Sequence, residues 1–250
     1  MLRTHMPTAM VVCLLVTLLN AQPPGPAAPV APAAIMVAPA AAPGVAAVPV
    51  PLMLRIPEPY APRDYRNLLG MPGFSGTLLS NHFTLYQGYV NNVNLLQSNL
   101  RTLLAGAQET TPPYAEQKRR LGWEFNGMRL HEYYFDNLGG TGVMATNTPL
   151  YTQLCADFGS YDSWKRDFTG TGKMRGIGWA VLYYDPFGGR LLNMWINEHD
   201  ANHIAGGVPL LVLDVFEHAY FTDYQLDRAT YLNAFFGNIN WDVVTARFSL

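Results

Sequence analysis

The chain has 250 residues, of which 49% are hydrophobic, and a formal net charge of -2. A chain of this length and composition can bury the core of one or two domains. Its near-neutral charge gives no electrostatic reason to expect nucleic acid or an anionic membrane surface as a partner.

The first 21 residues have the features of an export signal. Arg3 and His5 lie in a short polar head, and an apolar run from Ala9 to Leu19 follows. This run is too short for a transmembrane helix, which needs about 20 apolar residues. We therefore expect cleavage of a signal peptide near Ala21 and a secreted protein, periplasmic or extracellular. An uncleaved segment anchored in the membrane is the alternative.

Residues 22–53 consist almost entirely of Pro, Ala, Val and Gly. Such a composition cannot supply a packed core and favours extended conformations. We predict a disordered arm, which becomes a tether to the membrane or wall if the N-terminal segment is retained. Cleavage would leave Cys155 as the only cysteine, so no internal disulfide is expected.

Residues 54–142 are predicted to form a helical hairpin. Apolar side chains recur at helical spacing between Gly76 and Ala107, and a second helix is expected from Tyr114 to Asn137. The sequence Thr111-Pro-Pro separates the two helices. A connection this short predicts that they pack antiparallel.

Residues 143–250 combine helical and strand patterns. Short helices are predicted around 151–157 and 161–169, and helix again dominates the C-terminal part. GWAVLYYD and RLLNMWIN flank the turn Pro186–Gly189, which is typical of a β-hairpin, and Pro209–Asp214 is a third strand candidate. These patterns indicate the α+β class, with an α/β domain at the C-terminus.

The motif DVFEHAY contains the clearest candidate ligands. Asp214 ends an apolar strand and His218 follows four residues later, which places an oxygen and a nitrogen donor close together. Glu217 is a candidate acceptor for an imidazole N–H, a contact that orients a ligating ring. In the alternative interpretation, Asp214 only caps the next helix and His218 is an ordinary residue.

His82 and His131 lie among large apolar side chains, where a lone histidine is more often a core residue than a ligand. Taken together with Asp214 and His218, however, they offer several nitrogen donors and one carboxylate. This donor set favours a mid-row transition metal over calcium or magnesium.

Several segments resemble the iron/manganese superoxide dismutase family between Ser75 and Phe248. They are GYVNNVN, LHEYYF, DFGSYDSWKRDF, GIGWAVLYYD, PLLVLDVFEHAYFTDY and NAFFGNINWDVV. The resemblance implies an N-terminal antiparallel helical hairpin, a C-terminal α/β domain with a three-stranded antiparallel sheet, and one iron or manganese ion per subunit between them. The implied activity is the conversion of superoxide to oxygen and hydrogen peroxide by a metal that alternates between its divalent and trivalent states.

By position, the resemblance implies three of the metal ligands, His131, Asp214 and His218, and a fourth on the first helix, for which His82 is the candidate. Glu217 matches a residue that reaches the metal-bound histidine of the other subunit, which implies a homodimer or tetramer through this region. Phe216 replaces the tryptophan that is usual in the DVWEH-type motif.

The resemblance also assigns residues around the metal. Tyr89 matches the tyrosine at the mouth of the substrate funnel, Trp179 an aromatic residue of the pocket, and Arg228 an arginine near the entrance that favours an anionic substrate. Gly127 matches a small position, and the group that bonds the metal's solvent would then be His199, with Glu198 as the alternative.

The first ligand departs from the family spacing. Counting back from Tyr89, that spacing leads to Asn81 rather than His82, and one residue turns an α-helix by about 100°. The family's first helix commonly contains an extra residue in a π-type bulge, and loss of that residue would leave a regular helix with His82 facing the metal. We favour His82, since imidazole is also the better ligand, and Asn81 is the alternative.

Leu85 and Phe221 replace a histidine and a tyrosine that often bond across the family's dimer interface. Such changes motivate a second hypothesis, in which the chain is a non-catalytic, tethered structural or metal-binding module on the same fold.

Overall fold

The computed structural model describes residues 58–248. The predicted signal peptide and the Pro/Ala-rich arm therefore lie outside the described residues. Within residues 58–248, no helix is both long enough and apolar enough to cross a membrane.

Two long helices form the hairpin expected from the sequence. Helix α1 spans Gly76–Ala105 and begins after Ser75, whose hydroxyl accepts the N–H of Leu78 at 3.0 Å. Helix α2 spans Pro112–Asp136. The predicted start at Tyr114 was too late because prolines are tolerated in the first turn, where their missing N–H needs no partner. Helix α1 also ends slightly earlier than predicted.

In chain order, the C-terminal part contains two helices, a three-stranded antiparallel sheet and then further helices. Helices α3 (Pro149–Phe158) and α4 (Tyr161–Gly172) precede strands β1 (Gly178–Asp185), β2 (Arg190–Asn197) and β3 (Val208–Asp214). The strand order is β2-β1-β3. The predicted hairpin of β1 and β2 has the expected bounds, and the third strand starts one residue earlier than predicted.

The central strand β1 is buried along most of its length because it pairs with a neighbour on both edges. Helices α2 and α7 (Trp241–Phe248) pack against β3, and α1 packs against a short 3-10 turn at Glu217–Ala219. The end of β3 therefore points at the helical hairpin. Two more helices, α5 (Phe221–Tyr224) and α6 (Arg228–Gly237), complete the C-terminal part. The predicted α+β class is confirmed.

Candidate metal centre

Helix α1 directs His82, and not Asn81, toward the sheet. The side chain of His82 is 1% exposed, whereas Asn81 is exposed to solvent. The helix is α-helical throughout Gly76–Ala105, so it has the regular geometry that the shorter spacing requires. His82 Nε2 lies 3.2 Å from Asp214 Oδ2.

Asp214 stands at the centre of the cluster, at the end of β3. Its Oδ2 also lies 3.2 Å from His218 Nε2 and 3.7 Å from His131 Nε2. Its Oδ1 accepts the N–H of Phe216 at 2.8 Å. One oxygen of the carboxylate thus orders the turn after β3, and the other faces the histidines. No side chain caps the short helix that follows, so the capping role considered from the sequence is not observed.

His131 lies on α2 and is fully buried. Its Nδ1 donates a hydrogen bond to the carbonyl oxygen of Gly127, one turn earlier, at 2.6 Å. With the proton on Nδ1, the lone pair of Nε2 faces the cluster. A backbone carbonyl that holds the outer nitrogen in this way is a common partner of metal-ligating histidines.

The environment favours the neutral forms of His82 and His131 and the charged form of Asp214. Burial lowers the pKa of His82, despite the opposing effect of Asp214, and lowers the pKa of His131 well below its ordinary value, with the neighbouring His82 adding to the shift. For Asp214, burial acts to raise the pKa, but the charge and the hydrogen bond of His218, together with the nearby His82 ring, outweigh it and leave the pKa well below its ordinary value. Neutral imidazole and carboxylate are the forms that bind metals.

The donor atoms fit a small metal ion. The ligand atoms of His82, His131, Asp214 and His218 all lie within 4.8 Å of one another. In the part of the chain that the structure describes, the buried Nε2 atoms of His82 and His131 have no hydrogen-bond partner. Unsatisfied buried nitrogens are costly unless something binds them, and the mixed imidazole and carboxylate set suits iron or manganese.

Tyr89 and His199 lie beside this cluster and contact each other. The Tyr89 hydroxyl is 2.8 Å from His199 Nε2, and the Tyr89 ring centroid is 5.0 Å from that of His131. Trp179 Nε1 donates to His199 Nδ1 at 3.1 Å. Burial lowers the pKa of His199 to about 4, so its ring is neutral near pH 7.

Position 127 has no room for a side chain larger than that of glycine. A Cβ atom at this position would lie 2.6 Å from Cδ1 and 2.7 Å from Cε1 of Tyr89. The ring of Tyr89 therefore occupies the space that a larger side chain of α2 would need.

Phe216 and Glu217 have different surroundings. The Phe216 ring stacks on the rings of His199 and His218, with centroid distances of 4.7 Å and 5.1 Å. Glu217 is exposed, and within residues 58–248 of this single chain no hydrogen bond joins it to His218.

Arg228 is held at the surface by the loop before β1. Its guanidinium donates to the carbonyl oxygens of Met174 and Gly176 at 2.7 Å and 3.0 Å, and to the Tyr220 hydroxyl at 3.0 Å. Glu198, the alternative to His199, is exposed and accepts the Trp123 indole N–H at 3.1 Å. His199 is the residue that enters the site.

Other residues of the site were missed from the sequence. His203 donates from Nε2 to the carbonyl oxygen of His199 at 2.9 Å, and its Nδ1 accepts from the Tyr183 hydroxyl at 2.7 Å. Trp123 lies 4.5 Å from His199 between ring centroids. The only sequence signal for His203 was its presence among the few histidines.

Comparisons with known proteins are consistent with this geometry. A family model described as "Iron/manganese superoxide dismutases, C-terminal domain" matches residues 146–247. "Superoxide dismutase [Fe]" of Cupriavidus metallidurans is 38% identical over 184 residues, which cover 72% of this chain and 90% of that protein. "Superoxide dismutase [Fe]" of Aquifex pyrophilus is 34% identical, covering 75% and 90% of the two chains, and "Superoxide dismutase [Mn] 2" of Haloferax volcanii is 34% identical, covering 67% and 82%.

Proposed function

Because the chain belongs to the iron/manganese superoxide dismutase family, we propose that it converts superoxide to oxygen and hydrogen peroxide at one iron or manganese ion per subunit. The ligands would be the residues that converge in the structure, His82, His131, Asp214 and His218. The observation that carries this proposal is the buried convergence of their donor atoms, with two imidazole nitrogens left unpaired in the described part of the chain.

When bound, the metal supplies the one-electron chemistry that protein side chains cannot perform. The protein's part is to set the charge around it. Asp214 is the only anion among the candidate ligands, and the carbonyl of Gly127 fixes the ring of His131. Both features bear on how readily the ion gains and loses an electron.

The tautomer of His199 follows from its partners. The indole N–H of Trp179 is a donor only, so Nδ1 of His199 must accept and carries no proton. The proton of the neutral ring is then on Nε2 and is donated to the Tyr89 oxygen. The Tyr89 hydroxyl accepts this bond and can therefore donate its own proton to a different acceptor. We propose that this acceptor is solvent or substrate on its way to the metal.

We extend the proposal to a homodimer, or a tetramer that contains it, through the face around Glu217 and His218. Glu217 is exposed, and the His218 side chain is 28% exposed although its neighbours in the cluster are buried. Leu85 and Phe221 are 36% and 50% exposed. An apolar contact through these two residues would bury both of them without leaving a polar group unpaired.

We also retain the proposal that the chain is exported, with residues 1–21 as a signal peptide and 22–53 as a tether or arm. It is supported by the sequence composition alone. N-terminal sequencing of the mature protein and fractionation of cells would test it, and an intact N-terminus in the cytosolic fraction would refute it.

The test of function measures metal content and superoxide decay on the same purified sample. One iron or manganese per chain together with rapid decay is expected. Asp214→Ala should remove both metal and activity. One metal per chain in the unaltered protein with no decay would instead support the rival hypothesis of a non-catalytic module.

A further inference from the structure

A depression of about 200 Å³ lies between α1 and α2 beside Tyr89. Leu85 from α1 and Arg120, Trp123 and Glu124 from α2 contribute to its wall. Tyr89 lines it as well, and the same tyrosine bonds to His199 and packs against His131. The depression and the candidate metal centre thus share Tyr89 and Trp123.

Arg120 places a positive charge at this depression. Its guanidinium carbon lies 3.8 Å from the centroid of the Trp123 ring, a cation–π geometry that fixes the side chain. The Trp123 ring is in turn 5.7 Å from Tyr89 and 4.5 Å from His199, measured between centroids. Stacking on Trp123 therefore holds the cation near both residues.

The partner of Arg120 does not cancel this charge at the surface. Arg120 Nε donates to Glu124 Oε1 at 2.8 Å. The side chain of Arg120 is 49% exposed, whereas that of Glu124 is 3% exposed. The ion pair therefore presents its positive end to solvent and its negative end to the interior.

Electrostatic effects on neighbouring groups agree with this position. Burial and then the charges of Asp214 and Glu124 raise the pKa of Tyr89, and the charge of Arg120 opposes them. At His199, burial lowers the pKa, Asp214 acts to raise it, and the charge of Arg120 acts to lower it. Arg228 is the entrance arginine implied by the family resemblance. Its guanidinium donates hydrogen bonds to Met174, Gly176 and Tyr220.

We propose that Arg120 is a specificity-determining residue that draws small monoanions, superoxide among them, into the depression beside Tyr89. The inference rests on the proposed function, because it names the route of that substrate. A fixed cation at the mouth of a cleft raises the rate of encounter with an anion, and salt weakens the effect.

The test replaces the Arg120–Glu124 pair without leaving a buried carboxylate alone. The double variant Arg120→Gln with Glu124→Gln keeps the net charge of the chain. The matched control is Arg119→Gln with Glu116→Gln, which removes a neighbouring pair on the same helix whose side chains are 70% and 68% exposed. For each full-length, metal-loaded protein, kcat/KM is measured against ionic strength, and the dissociation constant of azide is measured from the absorption of the metal centre.

We expect the Arg120/Glu124 variant to lose kcat/KM by roughly threefold to tenfold at low ionic strength, with a flatter dependence on salt and weaker azide binding. The control pair should match the unaltered protein, and Arg120→Lys should stay near it. Equal salt dependence and equal azide affinity in both double variants, at equal metal content, would overturn the proposal.

A further variant covers the case in which the double variant fails to fold. Glu124→Gln alone leaves Arg120 without its counter-ion and should tighten azide binding and steepen the salt dependence, and no change in either would count against Arg120. If the unaltered protein binds metal but does not consume superoxide, the proposed function fails. The azide titrations then still decide whether Arg120 attracts anions.

Discussion

Asn81 and His82 are neighbours in the chain but lie on different faces of α1. Asn81 is exposed, whereas His82 is buried with its Nε2 3.2 Å from Asp214 Oδ2. Since one residue turns the helix by about 100°, only one of the two can face the cluster. In this regular helix that residue is His82.

The first prediction concerns metal binding by these neighbours. His82→Ala should weaken metal binding by more than about tenfold. Mutation of a residue that only hydrogen-bonds to a metal ligand typically lowers metal affinity by about that factor already, and loss of a ligand should lower it further. Asn81→Ala should leave it unchanged. Metal per chain after dialysis is the measurement, and His82→Gln controls for the cavity left by alanine. Loss of metal in the Asn81 variant alone would show that the assigned register is wrong.

The second prediction concerns the space between Gly127 and Tyr89. Gly127→Ala should destabilise the protein by about 1–3 kcal/mol, as overpacking does, because the new Cβ would lie 2.6 Å from the Tyr89 ring. Gly122→Ala is the control on the same helix, where a Cβ meets nothing within 4 Å. The control should be neutral or stabilising by up to about 1 kcal/mol. Urea unfolding measures both, and equal effects would contradict the steric argument.

The third prediction concerns the proton on His199. Nitrogen NMR of the metal-free protein should show the Nε2–H tautomer, because Trp179 donates to Nδ1. Trp179→Phe should produce a mixture of tautomers and reduce activity by on the order of tenfold. A proton on Nδ1 in the unaltered protein would contradict the direction assigned to the bond with Tyr89.

The fourth prediction is a pH dependence of stability. The folded pKa of His199 is lowered by burial to about 4, against an ordinary value of 6.5. As the pH falls, the unfolded chain therefore binds a proton before the folded one does. The contribution of neutral His199 to stability is complete above about pH 6.5 and is lost as the pH falls toward about 4.

This loss is measured as the difference in the free energy of unfolding between the unaltered protein and His199→Gln, both metal-free. The difference should shrink by about 1–3 kcal/mol between pH 7 and pH 4. Besides Tyr89 and Trp179, the charges of Asp214, His218, Arg120 and His203 act on His199. All of these groups are present in both proteins, so the difference between the two isolates the His199 ring. A difference that stays constant would show that His199 is not buried as a neutral ring.

Local patterns predicted the helices and strands because each depends on few neighbours. The hairpin of β1 and β2 was correctly bounded, since two apolar segments flank a short turn that contains two glycines. The predicted start of α2 lies too late in the chain because Pro112 and Pro113 begin this helix rather than only interrupt the one before it.

The site was less accessible to sequence reasoning. The helix-spacing argument already favoured His82 over Asn81, whereas the roles of Arg120 and Glu124 needed their unequal burial. An arginine and a glutamate one turn apart look like an ordinary solvated pair in sequence. Their position beside Tyr89 follows only from the packing of α1 on α2.

The candidate ligands come from α1, α2, the end of β3 and the turn that follows it. A bound ion would therefore join segments that are distant in the chain, and the hairpin could not separate from the sheet without releasing it. Loading the site should slow unfolding and protect the chain from proteases, as any ligand bound only to the folded state does. A bound ion would therefore set the lifetime of the folded protein as well as its catalytic activity.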